Sequence, residues 1–184
     1  MMIFLIILAV IVLYAIMIYN GLVIARQRVR EAWSTVDTQL KRRYDLIPNL
    51  VEMIKGYTKH EQSTLEKVVA ARTAAMSATS PADKGKAENV LSGALKSIFA
   101  LSESYPDLKA NQNFLEAQHE LSDTETKIQS CRQFYNSVVL TLNTRIEMFP
   151  SNIFANLFHF QKEAYFELDE DEAKEVRKAQ KVQF

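Results

Sequence analysis

Glu116 and His119 stand three apart in the run EAQH, the Glu-x-x-His spacing with which one helix offers a carboxylate and an imidazole to a single metal ion. A di-iron helical bundle needs two such motifs and two further inward glutamates. The chain has three histidines, His60, His119 and His159, and no second Glu-x-x-His, so the ligand set cannot be completed. His60 and Glu61 open HEQST, which lacks the second histidine of a helical zinc-protease motif. A Gly-x-Ser-x-Gly nucleophile elbow and a glycine-rich phosphate loop are both missing from a chain with only four glycines. Cys131 is the single cysteine, which excludes an intramolecular disulfide and a thiolate metal site. No cofactor is expected, and the chain is not expected to be an enzyme.

Polar residues set among apolar ones carry more information than these fragments. Glu125 and Arg132 lie seven apart, on or beside the apolar stripe of one helix, near Tyr135 and Asn136. The four are candidates for a buried polar network, and a solvent-facing arrangement at the same spacing is equally open. An enzymatic or ligand-binding bundle using these residues is the alternative function. Three consecutive basic residues, Lys41, Arg42 and Arg43, form either a partner-binding patch or a solvated helix face.

Val29, Trp33, Val36, Leu40, Tyr44, Ile47, Val51 and Ile54, then Leu65, Val68 and Val69, follow helical spacing. The stripe crosses Pro48 in phase. Proline in a helix interior removes a donor and crowds the carbonyl four residues back, so Pro48 marks a kink or a break, and one long helix kinked there and running to about residue 78 is expected. SATSPADKG then ends it, with Ser80 as cap and Pro81 at the first position of a second helix. A third helix follows Pro106 up to MFPSN. A fourth begins after Pro150 and is expected to bury Ile153, Phe154, Leu157, Phe158 and Phe160. No strand pattern appears, so the fold class is all-α: an elongated antiparallel four-helix bundle over residues 26–166, with a charged C-terminal tail over 167–184.

Residues 1–19 contain no charged side chain, and at 1.5 Å per residue they span roughly 28 Å, close to the hydrocarbon thickness of a bilayer. Ile3, Phe4, Leu5, Ile6, Ile7, Leu8, Val10, Ile11, Val12, Leu13, Ile16 and Ile18 supply the apolar surface. A cleaved signal peptide would need a basic n-region and a small-x-small cleavage site, and neither is present. A single transmembrane anchor over residues 1–25 is therefore expected, continuing into the bundle. Arg26, Arg28 and Arg30 follow it with no charge before it except the terminal amine, which predicts N-out, C-in orientation and contact with anionic lipid. Basic and acidic residues balance at 22 each, and the overall charge points to no nucleic-acid partner.

The run YNGLVIARQRVREAWSTVDTQLKRRYDLIPNLVEMIKGYTKHEQSTLEKVVAAR, together with YPDLKANQNFLEAQHELSDTETKIQSCRQFYNSVVLTLNTRIEMFPSN, resembles the LemA family of bacterial membrane proteins. AWS, QLKRRYDLIPNLV, YPDLKAN, ELSDTE, RQFYN and FPSN occur in the family's order. The resemblance implies one N-terminal spanning helix in the inner membrane, N-out and C-in, a four-helix bundle, and no established enzymatic activity. It also implies a scaffold or adaptor of the cell envelope, acting on copies of itself or on other membrane proteins, membrane metalloproteases among them. Departures are small: Leu142 in LTLNTRI stands where a tyrosine is common, and His119 and Cys131 fall at variable positions.

Overall fold

The computed structural model describes residues 1–58 and 61–166. His60 and the charged tail at 167–184 lie outside the described residues. Among those described, six helices and no strand are present: α1 (Met2–Lys55), α2 (Gln62–Ser77), α3 (Pro81–Ser102), α4 (Pro106–Lys109), α5 (Gln112–Glu147) and α6 (Ser151–Leu157). The chain divides into two units, one of Met1–Val36 with Cys131–Tyr165, the other built on Asp37–Ser130. Helices α1 and α5 contribute to both.

In the second unit the residue pairs give each helix its direction. Asp37 pairs with Lys84 and Arg43 with Glu88, so α3 runs parallel to α1. Asn111, just before α5, donates to the Tyr57 hydroxyl just after α1 at 2.8 Å, and Arg43 meets Glu125 further along α5, which makes α5 antiparallel to α1. Helix α2 reverses after α1 and packs on α3. Four helical segments thus alternate in direction around Leu40, Ile47, Leu50, Ile54, Val68 and Ile98, none of which keeps any solvent exposure.

The expected single helix to residue 78 is not what forms. Helix α1 ends at Lys55 and the chain reverses before α2 starts at Gln62. The apolar stripe hid this, because the end of α1 and the start of α2 face one core and keep one phase across the turn. The stop signal was local. After Gly56 no apolar aliphatic residue occurs until Leu65, the Tyr57 and Thr58 amides both donate to the Ile54 carbonyl, and the Thr58 hydroxyl donates there as well. With 16 residues, α2 rises only about 24 Å, a return far shorter than a reversal at Pro48 would have required.

Pro48 is no break. It sits inside α1 with its ring exposed. Its missing N–H leaves the Tyr44 carbonyl without its helical donor, and Arg72 of α2 takes that place, Nε donating to the Tyr44 oxygen at 2.8 Å. The proline therefore creates the acceptor on which the returning helix is hung.

Helix α3 starts as expected, with the Ser80 hydroxyl accepting from the Asp83 amide at 3.1 Å and Pro81 in the first turn. Asn111 caps α5 in the same manner, its Oδ1 accepting from the Phe114 amide at 3.1 Å.

The first unit packs α1 against the second half of α5. Leu22, Val29, Ala32, Tyr135, Val139 and Leu142 form its core, and the Trp33 and Tyr135 rings lie 5.2 Å apart. After α6 the chain runs without regular structure along this pair. The Tyr135 hydroxyl donates to the Ala164 carbonyl at 2.9 Å, and the Asn143 side chain both donates to and accepts from the Glu163 backbone at 3.0 Å. Burial pushes the Tyr135 phenol up to about 12, with Glu163 adding to the shift.

Helix α6 also departs from expectation. It has seven residues, and Ile153, Leu157 and Phe158 are exposed while Ala155 and Phe160 are buried. It ends with His159 at φ 55°, the Phe160 amide donating to Ala155 and the His159 amide to Asn156. This pairing is the Schellman arrangement, in which a left-handed residue reverses the chain. It turns Phe160 inward, 6.0 Å from the Tyr19 ring.

Truncating Arg72 to Met should cost about 1–3 kcal/mol in urea unfolding of the detergent-solubilised chain, because a part-buried carbonyl loses its donor. In a Pro48→Ala background, where residue 48 again donates to Tyr44, the cost of Arg72→Met should shrink; equal costs in both backgrounds would show that the two groups do not share the acceptor.

Candidate functional site

Position 43 lies three after Leu40 and four before Ile47, on the stripe that α1 turns to the core, so the Arg43 side chain enters the unit instead of leaving it. It is 3% exposed, and this corrects its place in the candidate surface patch. Its Nη1 donates to Glu88 Oε2 at 3.0 Å and lies 3.0 Å from Glu125, and its Nη2 donates to the Ser92 hydroxyl at 2.8 Å. The neighbouring Tyr44 hydroxyl donates to the other oxygen of Glu88. Lys84, mostly buried, closes the group by pairing with Asp37 at 3.1 Å.

This cluster ties α1, α3 and α5 together through one guanidinium. Burial holds the Glu88 carboxyl above its ordinary range; Tyr44, Arg43 and Lys84 pull it back, while the Glu125 carboxylate adds to the rise. Burial, then the hydrogen bond to Glu88, pushes the Tyr44 phenol far up. Tyr44 is consequently a fixed donor at any physiological pH. The guanidinium is occupied by two carboxylates and a hydroxyl, which suits a structural clamp and leaves little for a passing anion.

Glu125, Arg132, Tyr135 and Asn136 all stand on α5. Glu125 joins the Arg43 cluster, whereas Tyr135, ten residues and about 15 Å further along the helix, serves the first unit through Trp33 and Ala164. Arg132 and Asn136 are half-buried. The residues that sequence reasoning missed are Tyr44, Glu88, Ser92 and Lys84. Glu88 carried a signal, since it precedes Leu91 and Leu95 at helical spacing.

Lys41 and Arg42 are exposed, as are Arg28 and Arg30. Asp123 accepts from Lys127 at 2.7 Å. That bond, with Arg42 and His119 nearby, holds the exposed Asp123 carboxyl below the ordinary range. Glu116 accepts from Gln112 at 3.0 Å. Among the described residues no three His, Cys, Asp or Glu side chains gather as a metal site. Arg26 is half-buried with its guanidinium 4.9 Å over the Phe160 ring, so it is shared between packing and surface. Residues 2–17 of α1, with Ile3, Phe4, Leu5, Ile7 and Leu13 among them, are almost all exposed, and the helix is long and apolar enough to cross a membrane.

A raised Glu88 pKa means that the folded chain binds a proton more tightly there than the unfolded chain does, so stability falls as pH rises from the ordinary carboxylate range through the raised value. Glu88→Gln should remove that slope. The difference in melting temperature between wild type and variant should therefore change with pH across that window, the wild type losing ground relative to the variant as pH rises; Tyr44→Phe, which removes a donor to the carboxylate, should move the slope to higher pH. A pH-independent difference would show that Glu88 is not the titrating group.

The family model described as LemA family matches residues 32–184. Protein LemA of Metamycoplasma hominis is 28% identical over 161 residues, which cover 85% of this chain and 72% of that protein. The matched region takes in the Arg43 cluster, the α1–α2 turn with its Arg72 contact, and the whole of α5 and α6. The chain belongs to the LemA family.

Proposed function

We propose that this protein is a membrane-anchored helical scaffold of the bacterial envelope, held in the inner membrane by the first part of α1 and acting by association with other proteins or with copies of itself. One observation carries the anchor: residues 2–17 are uncharged and almost wholly exposed, yet continuous with a packed helix. Leaving that surface in water would forgo about 1.5–3 kcal/mol of transfer free energy for each large aliphatic side chain along the run. The arginines at 26, 28 and 30 then set N-out, C-in orientation and lie at headgroup level. Beyond the span, α1 continues as a helical stem whose last part belongs to the Asp37–Ser130 unit.

Association is assigned to exposed side chains of that unit, Lys41 and Arg42 foremost, because solvated charges contribute little to stability but steer partners. The saturated Arg43 cluster does not favour a ligand-binding reading.

Two outcomes follow. A single cysteine at Ser130 in a Cys131→Ser background should react with an impermeant maleimide only after the cytoplasmic side is opened; labelling in intact cells would refute the orientation. Lys41→Glu with Arg42→Glu should leave helicity and membrane insertion intact and weaken self- or partner association in a salt-dependent way, read by cross-linking in membranes. Unchanged association at low salt would leave the two residues as a solvated face.

A further inference from the structure

Met148 to Phe160, MFPSNIFANLFHF, contains no Asp, Glu, Lys or Arg and holds four of the chain's ten phenylalanines. A segment of that composition at a helix corner should fold inward. Here it does so only in part: Phe149 is 75% exposed, Leu157 65%, and Met148, Ile153 and Phe158 are each at least half exposed. The Schellman reversal at His159 accompanies the division: Phe160 and Ala155 are buried, Phe154 is half-buried, and Ile153, Leu157 and Phe158 face out.

The position of the corner says what covers them. Its ring and groove contacts within the unit include one stretch of α1. The Phe158 ring lies 4.8 Å from Tyr19, Arg145 donates to the Gly21 carbonyl at 2.9 Å, and Tyr14, Met17 and Ile18 line a groove with Met148, Pro150 and Ser151. That stretch is the end of the uncharged run. The corner is therefore held beside α1 at the depth where apolar surface gives way to the first arginines. Charges border it on each side: Arg145 precedes it, Arg26 stacks over Phe160, and the Lys162 to Glu147 ion pair follows. An uncharged aromatic patch with a basic border is the pattern of a segment that lies in the headgroup and upper acyl region.

We infer that the α5–α6 corner, through Phe149, Ile153, Leu157 and Phe158, is a second membrane contact that inserts into the cytoplasmic interface of the lipid bilayer beside α1. The inference rests on the anchor reading above. With two points of attachment, the stem cannot swivel freely about the span, so the corner sets the tilt and rotation at which α1 leaves the membrane. A second copy of the chain is the competing occupant, but the continuity of the patch with the lipid-facing run on α1 favours lipid.

The test uses the full chain with Cys131→Ser, reconstituted in vesicles of phosphatidylcholine and phosphatidylglycerol, with an environment-sensitive fluorophore on one introduced cysteine. Quenching is read with lipids carrying a nitroxide near the top of the acyl chain. Labels at Ile153 and Leu157 should lose most of their emission, a label at the exposed Gln133 should keep it, and a label at Leu8 should be quenched by a nitroxide placed deep in the chain. If the Leu8 label is unquenched, the anchor reading falls and takes this inference with it. If Leu8 is quenched while the labels at 153 and 157 are not, the span stands and the corner contact is overturned; cross-linking between copies through those positions would then assign the patch to self-association. As a second check, Ile153→Asp with Leu157→Asp should abolish quenching of a label at Phe149 without changing helicity, because both side chains are exposed. Persistent quenching in that variant would also overturn the contact.

Discussion

The guanidinium of Arg43 cannot be buried alone, and much of the Asp37–Ser130 unit is arranged to satisfy it. An unpaired charge at 3% exposure would be intolerable, and removing one partner of a buried pair typically costs about 3–5 kcal/mol. Glu88, Glu125 and Ser92 must therefore arrive together, from two different helices, at the depth set by α1. This specifies register more than it adds stability. Apolar stripes slide by a turn at modest cost, whereas the Arg43 cluster accepts only one alignment of α1, α3 and α5. Tyr44 reinforces that choice by giving its proton to the second oxygen of Glu88, and its own carbonyl gives α2 its place through Arg72.

Two adjacent residues thus organise the unit, and Pro48 is part of the same device. A proline in a helix interior usually bends or breaks it because a carbonyl is orphaned. Here the orphaned carbonyl belongs to Tyr44, faces the returning helix and is used. The exposed ring of Pro48 contributes nothing to the core; its effect runs wholly through the hydrogen bond it cannot make. The reversal between α1 and α2 and the proline about two turns earlier are consequently linked, since the turn delivers Arg72 to the acceptor.

The first unit relies on different means. Its core is aromatic and aliphatic packing around Trp33, Tyr135 and Leu142, with hydrogen bonds from Tyr135 and Asn143 to the backbone fastening the segment after α6. Such packing leaves the corner at Met148–Phe158 free to present apolar side chains outward, which a soluble domain would have little reason to keep.

Class and outline were legible from residues alone. A run without charge long enough for a bilayer, helical spacing from Val29 onward and the Ser80 and Pro81 start of α3 follow from side-chain chemistry and the 3.6-residue period, which act locally. Three matters were settled only by tertiary structure. The reversal at Gly56 was invisible to periodicity, because two helices facing one core share a phase. Arg43 looked like its neighbours Lys41 and Arg42, although its place between Leu40 and Ile47 already pointed inward, and only the arrival of Glu88 and Glu125 makes that burial affordable. The apolar residues of α6 read as core, yet a seven-residue helix closed by a left-handed residue can bury only one side. Sequence determines which surfaces are apolar; whether each meets protein or remains exposed depends on partners distant along the chain.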